Sequence, residues 1–174
     1  MLVLAIIPVF FAFYAFTFEI NPFFLLALVG LALTVYGVIV PTELRDYFGD
    51  KNMGIQTMTV RLGLSKSTLF GIVLLIIGPL FTAIALLLEW WVNQQLWLSG
   101  FLFAIPISVL FVLGKFRKLY WLSKNYEVSK TNRSDFRQKI VELSSDNPKW
   151  IMIVTQTYSM LSLILFASKF LLVN

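Results

Sequence analysis

The chain has 174 residues, with 59% hydrophobic and 13% charged side chains, no cysteine and no histidine. A soluble domain of this length usually carries about 25% charged residues, so water is not the main solvent of this chain. The composition excludes a disordered chain, a disulfide scaffold and, despite a pI of 9.6, a nucleic-acid-binding domain. Sites that need Cys or His are excluded with them, so any metal chemistry must rest on oxygen ligands.

A membrane helix needs about 20 mostly apolar residues. In chain order five stretches meet or approach that length: Leu2–Phe18, Pro22–Thr42, Thr68–Leu88, Trp97–Gly114 and Trp150–Ser168. The runs are continuous, not alternating, which speaks for helices over a β-barrel. Pro8, Pro79 and Pro106 do not veto them, because membrane helices tolerate proline. The expected fold is all-α: a polytopic membrane helix bundle in a single domain. Gly30/Gly37 and Gly71/Gly78 each sit seven residues apart on one helix face, which predicts close backbone packing.

The segments 43–66 and 115–149 hold all but one of the 14 Lys and Arg residues; the exception is Lys169. With five spans, both basic segments fall on one side. By the positive-inside rule that side is cytoplasmic, which puts the N-terminus inside and the C-terminus outside. All five tryptophans (Trp90, Trp91, Trp97, Trp121, Trp150) lie at predicted span ends, the pattern of an aromatic belt. The first span lacks a basic n-region and a small-residue cleavage site, so it reads as a retained helix, not a signal peptide. Met1 is followed at once by apolar residues, as expected of the tail of a longer protein.

The second span runs into Pro41-Thr-Glu43-Leu-Arg45-Asp46-Tyr-Phe-Gly-Asp50-Lys51-Asn-Met-Gly54. On a continuing helix Glu43, Asp46 and Asp50 share one face, where like charges destabilise unless something neutralises them. Mg²⁺ would do so, since it takes one or two carboxylates plus substrate phosphates. Arg45, Lys51 and Arg61 are placed to hold the remaining phosphate oxygens. Gly49 and Gly54 allow tight turns beside this site. The plainer reading of the three acids is a solvated cytoplasmic loop.

The stretch from Glu43 to Gly63 resembles the second aspartate motif of the UbiA superfamily of intramembrane prenyltransferases. It has two aspartates with three residues between them, a basic residue, a glycine, a threonine and a short apolar stretch ending in Leu62-Gly63. The resemblance implies that the five spans correspond to helices five to nine of that nine-helix bundle. It further implies that Asp46 and Asp50, with Glu43, bind Mg²⁺, and that Arg45, Lys51 and Arg61 contact diphosphate. The implied function is transfer of a prenyl group from an isoprenoid diphosphate to an aromatic or hydroxyl acceptor within the lipid bilayer. The family's first motif is absent. Upstream of Glu43 the only acid is Glu19, on the opposite side by the charge rule. Downstream, Asp146-Asn147-Pro148 reads better as a capped helix start than as a second acidic motif. A missing N-terminal half would have to supply that motif. The alternative is a non-catalytic membrane subunit, or a degenerate half, that binds a lipid diphosphate or a partner chain. A CDP-alcohol phosphotransferase is disfavoured, because no Asp-Gly or Ala-Arg dipeptide follows Asp46 or Asp50.

Two further features complete the reading. Phe136, Ile140 and Leu143 recur at helical spacing among Arg133, Arg137 and Lys139, which predicts a short amphipathic helix on the cytoplasmic interface, touching anionic lipid headgroups. The last span is rich in hydroxyl and amide groups, and Gln156 is expected to face other helices.

Overall fold

The structure, a computed structural model, describes residues 22–93, 98–129 and 131–172. The predicted span Leu2–Phe18 and part of the connection before Trp97 lie outside these residues. Among the described residues all regular structure is helical: α1 (Pro22–Met53), α2 (Met58–Leu62), α3 (Leu64–Asn93), α4 (Leu98–Val128), α5 (Arg133–Ser145) and α6 (Asn147–Leu172). Two of these helices, α1 over Leu25–Met53 and α3 over Leu64–Val92, are long and apolar enough to cross a membrane.

The antiparallel pair α1 and α3 is organised by the four glycines. A Cβ on Gly30 would collide with the Thr82 hydroxyl and stand 2.6 Å from the Gly78 carbonyl. A Cβ on Gly78 would collide with the Thr34 hydroxyl and meet the Gly30 carbonyl at 2.7 Å. Gly30-x3-Thr34 therefore crosses Gly78-x3-Thr82 in a locally symmetric way, each glycine receiving the threonine of the other helix. Gly37 and Gly71 repeat the close approach two turns on, where Gly71 also leaves room for the Phe116 ring of α4. The backbones can approach this closely only because four side chains are missing.

The threonines also bond outward. Thr34 donates to the Gly30 carbonyl of its own helix at 2.7 Å, and its oxygen lies 3.1 Å from the Tyr158 hydroxyl of α6. The Thr82 hydroxyl is 3.3 Å from both the Gly78 carbonyl and the Tyr158 oxygen. One phenol thus ties α6 to both members of the crossing. Gln156, expected to face the other helices, is exposed. Val154 and Tyr158 sit one turn apart and face inward, which leaves residue 156 on the far side of the helix.

The fully buried side chains cluster toward the end of the bundle that carries the basic residues: Val38, Val40, Leu44, Val112, Phe116, Leu119, Ile140 and Val154. Trp150 belongs to this core. It is buried with its ring 6.0 Å from that of Phe116, so it is a packing residue, not a member of an interfacial belt. Trp91 and Trp121 are exposed, and Trp97 lies outside the described residues. On the outer side of α3, Leu69, Val73, Ile76, Leu80, Ile84 and Leu87 form an exposed apolar stripe along most of its length.

One boundary and one packing partner differ from expectation. α4 does not stop at Gly114 but runs on to Val128, so Lys115, Arg117, Lys118 and Lys124 project from a continuous helix and not from a loop. The amphipathic segment forms α5 as predicted, but Ile140 is buried among α1 and α4, and the Arg137 guanidinium lies 4.8 Å from the centre of the Phe48 ring. Its apolar face closes the end of the bundle.

Replacing Gly78 by Ala should destabilise the protein by about 1–3 kcal/mol through overpacking against backbone atoms of α1. Tyr158→Phe should cost less, about 0.6 kcal/mol, a typical value for an interhelical hydrogen bond in a membrane protein. Thermal unfolding in detergent ranks the two; a Tm for Gly78→Ala equal to wild type contradicts the crossing.

Candidate functional site

The acidic stretch is the polar continuation of α1, which passes Pro41 without a break and ends at Met53. Pro41 has no N–H for the Gly37 carbonyl, and the helix tolerates this loss. Glu43, Asp46 and Asp50 therefore do share one helix face. At 3.6 residues per turn that face lies roughly half a turn from Gly30, Thr34 and Gly37, so it points away from α3.

The residues that follow fold back on the acidic stretch. Gly54, at φ 73°, ends α1 in the left-handed region, and the Ile55 N–H donates to the Asp50 carbonyl at 2.9 Å. The Thr57 hydroxyl caps α2 by accepting from the Val60 N–H at 3.4 Å. Gly63, at φ 88° and ψ 163°, ends α2 in a region that is essentially glycine-only. α3 starts at the next residue. Its first turn is capped from a distance, because the Ser65 N–H donates to the Glu127 carboxylate of α4 at 3.1 Å and the Ser65 hydroxyl bonds the same carboxylate. Gly49, expected at a turn, is an ordinary helical residue whose Cβ position is open.

The predicted site residues fall as follows. Glu43 is half-buried and accepts from the hydroxyl of the buried Thr59 at 3.0 Å. Asp46 is exposed and paired with the neighbouring Arg45 at 3.0 Å. Asp50 is half-buried, and its carboxylate has no partner among the described residues. Lys51 folds over the Tyr47 ring, 5.6 Å from its centre, with its ammonium 3.4 Å from the Tyr47 hydroxyl. Arg61 is exposed on α2 and its guanidinium makes no ion pair among the described residues. The trio does not converge: no three carboxylates among the described residues come close enough to hold one cation. Glu43 is turned toward α2 and Asp46 toward Arg45, while Asp50 stands apart.

Residues that pattern reading missed complete the surroundings. Thr59 fixes Glu43, and Glu127 fixes the turn after Gly63. Asn147 begins α6 where a helix start was predicted, but it does not act as a cap. Its amide donates across the bundle to the Thr42 hydroxyl at 2.7 Å, and its own carbonyl oxygen is buried without a protein partner. The Asp146 carboxylate pairs with Lys149 at 2.8 Å; that hydrogen bond and charge hold it below the usual carboxylate range. The Glu127–Ser65 and Asn147–Thr42 contacts join helices far apart in sequence, whereas Thr59 reaches Glu43 from the next helix along the chain, and no local signal announces any of the three.

Gly63→Ala should cost about 1–3 kcal/mol, because an L side chain is strained at that backbone conformation. Gly49→Ala should stabilise by about 0.5–1 kcal/mol, since it lies in an exposed helix with open space around the added methyl. Opposite signs of the Tm change check the helix–turn–helix geometry of residues 43–63; a shared sign contradicts it. No family model, curated protein or solved structure matches the chain.

Proposed function

We propose that the chain is part of a Mg²⁺-dependent intramembrane prenyltransferase similar to the UbiA superfamily, with the diphosphate site at the polar end of α1. The observation that carries this reading is the pair Asp46 and Asp50. They sit one turn apart on a helix that continues out of an apolar segment, on the face turned away from α3. The membrane setting is supported by the exposed apolar stripe of α3 and by the gathering of Lys and Arg at one end of the helices. In this reading five spans cross the bilayer, over 2–18, 22–42, 68–88, 97–114 and 150–168, with residues 43–66 and 115–149 on the cytoplasmic side.

The donor set fits Mg²⁺ as a two-carboxylate site. Both groups are hard oxygen ligands, and Mg²⁺ usually keeps waters and takes the rest of its shell from substrate phosphate. The Asp46–Arg45 pair is exposed, so opening it costs little. Glu43 stays on Thr59 and acts as a neighbouring charge. When bound, the ion would neutralise charge building on the departing diphosphate. The chain's own cations contribute to the same neutralisation. Arg61, without an ion-pair partner among the described residues, would face phosphate oxygens, Arg45 would join it if Asp46 held the metal, and Lys51 is held at the same end by Tyr47. The apolar helices would hold the isoprenoid tail and keep water from the allylic cation until the aromatic or hydroxyl acceptor captures it. The family's first aspartate motif would come from an N-terminal half.

A second reading is favoured by the failure of Glu43, Asp46 and Asp50 to converge. In it the chain is a non-catalytic membrane subunit or degenerate half that binds a lipid diphosphate or a partner chain.

Purified chain, alone and after co-expression with an N-terminal half carrying an Asn/Asp-rich motif, should be assayed for Mg²⁺-dependent prenyl transfer. Turnover is expected with the N-terminal half present, and Asp46→Ala and Asp50→Ala should each reduce it by at least about 100-fold with membrane insertion unchanged, in line with loss of a metal or electrostatic group. Full activity in both variants defeats the metal assignment. Absence of turnover in every combination favours the second reading.

A further inference from the structure

A cleft of about 440 Å³ opens between the C-terminal part of α4 and α5, lined by Lys118, Trp121 and Leu122 on one side and Lys139, Glu142 and Leu143 on the other, with Asp146 at the rim. Its volume falls in the range of small-molecule sites. Two of its four charges are already matched: Lys139 pairs with Asp135 at 2.7 Å, and Asp146 pairs with Lys149 at 2.8 Å. Lys118 and Glu142 are exposed and have no ion-pair partner among the described residues. Among the described residues the cleft therefore offers one cation and one anion without an ion-pair partner, together with Trp121, which is 60% exposed.

What lies beside the cleft on α4 narrows the choice of occupant. Ile107, Phe111, Gly114, Lys118 and Trp121 follow one another at intervals of four and three residues, so they share one helix face. Ile107 and Phe111 are exposed, and the Cβ position of Gly114 is open. The charged cleft thus continues into an exposed apolar track with a shallow notch at Gly114. A polar head of both signs joined to an apolar tail matches this surface.

We propose that the cleft binds the headgroup of a zwitterionic phospholipid, phosphatidylethanolamine, with one acyl chain along the Ile107–Gly114 face. Lys118 takes the phosphate. Glu142 accepts from the ammonium, and the Trp121 ring supplies a cation–π contact. A purely anionic lipid would satisfy Lys118 but set its charge against Glu142. The inference rests on the membrane setting proposed above and not on the transferase chemistry.

The test is native mass spectrometry of the detergent-purified chain with phosphatidylethanolamine, phosphatidylglycerol or water-soluble glycerophosphoethanolamine. Phosphatidylethanolamine should be retained about 10-fold better than phosphatidylglycerol, the effect of one charge-assisted hydrogen bond. Glu142→Gln should remove that preference, and Lys118→Ala should weaken retention of both lipids. Both side chains are exposed and unpaired, so circular dichroism should report an unchanged fold. Equal retention of the two lipids by the wild-type chain, or indifference to both substitutions, overturns the proposal; so does displacement of the lipid by an equal concentration of the soluble headgroup. Resistance of the chain to carbonate extraction from membranes is read separately. Its loss sinks the membrane setting, whereas loss of lipid preference with extraction resistance intact sinks only this site.

Discussion

Backbone contact between α1 and α3 is the constraint from which the remaining structure follows. In the membrane setting proposed above, lipid supplies no hydrophobic driving force between helices, so close packing and polar contacts would have to hold the bundle together. Here Gly30, Gly37, Gly71 and Gly78 let two long helices touch along their backbones, and Thr34 and Thr82 turn the contact into a polar seam. α6 docks through Tyr158 on that seam, and α4 docks through Phe116 in the space left by Gly71. The two helices are joined by the connection 54–63, which carries α2, so the crossing also determines where that connection sits.

The connection is itself well built. Gly54 supplies a left-handed helix end, Thr57 an N-cap, and Gly63 a second helix end at an angle only glycine tolerates. The same three residues make up much of the likeness to the prenyltransferase motif. Part of that likeness is therefore explained by the geometry of a helix–turn–helix, and the proposed chemistry rests on the carboxylates, above all Asp46 and Asp50.

Periodic features of this kind were legible in the sequence. Glycines seven apart gave the packing faces, and acids three and four apart gave a common face on α1. Arg133–Leu143 gave an amphipathic helix. Azimuth and long-range pairing were not legible. Gln156 is polar in an apolar run, but polarity does not say which way a side chain faces, and the inward position went to Tyr158. Trp150 stands at a predicted span end, yet it fills the core against Phe116. Asn147 to Thr42, Glu127 to Ser65 and Arg137 to Phe48 join residues separated by most of a helix or more, and only the tertiary fold brings them together. The divergence of the three carboxylates belongs to the same class, because it depends on Thr59 and Arg45 as competing partners.

α1 carries its glycine seam and its carboxylates on opposite sides of one uninterrupted cylinder. The helix runs unbroken through Pro41 between Gly37 and Glu43, so the two surfaces keep a fixed phase. Deleting or adding one residue there would swing the acids by about 100° around the axis while leaving every side chain present. Chain length in this short interval is consequently a stricter requirement than residue identity: most apolar exchanges would keep the azimuth, and no single-residue indel could.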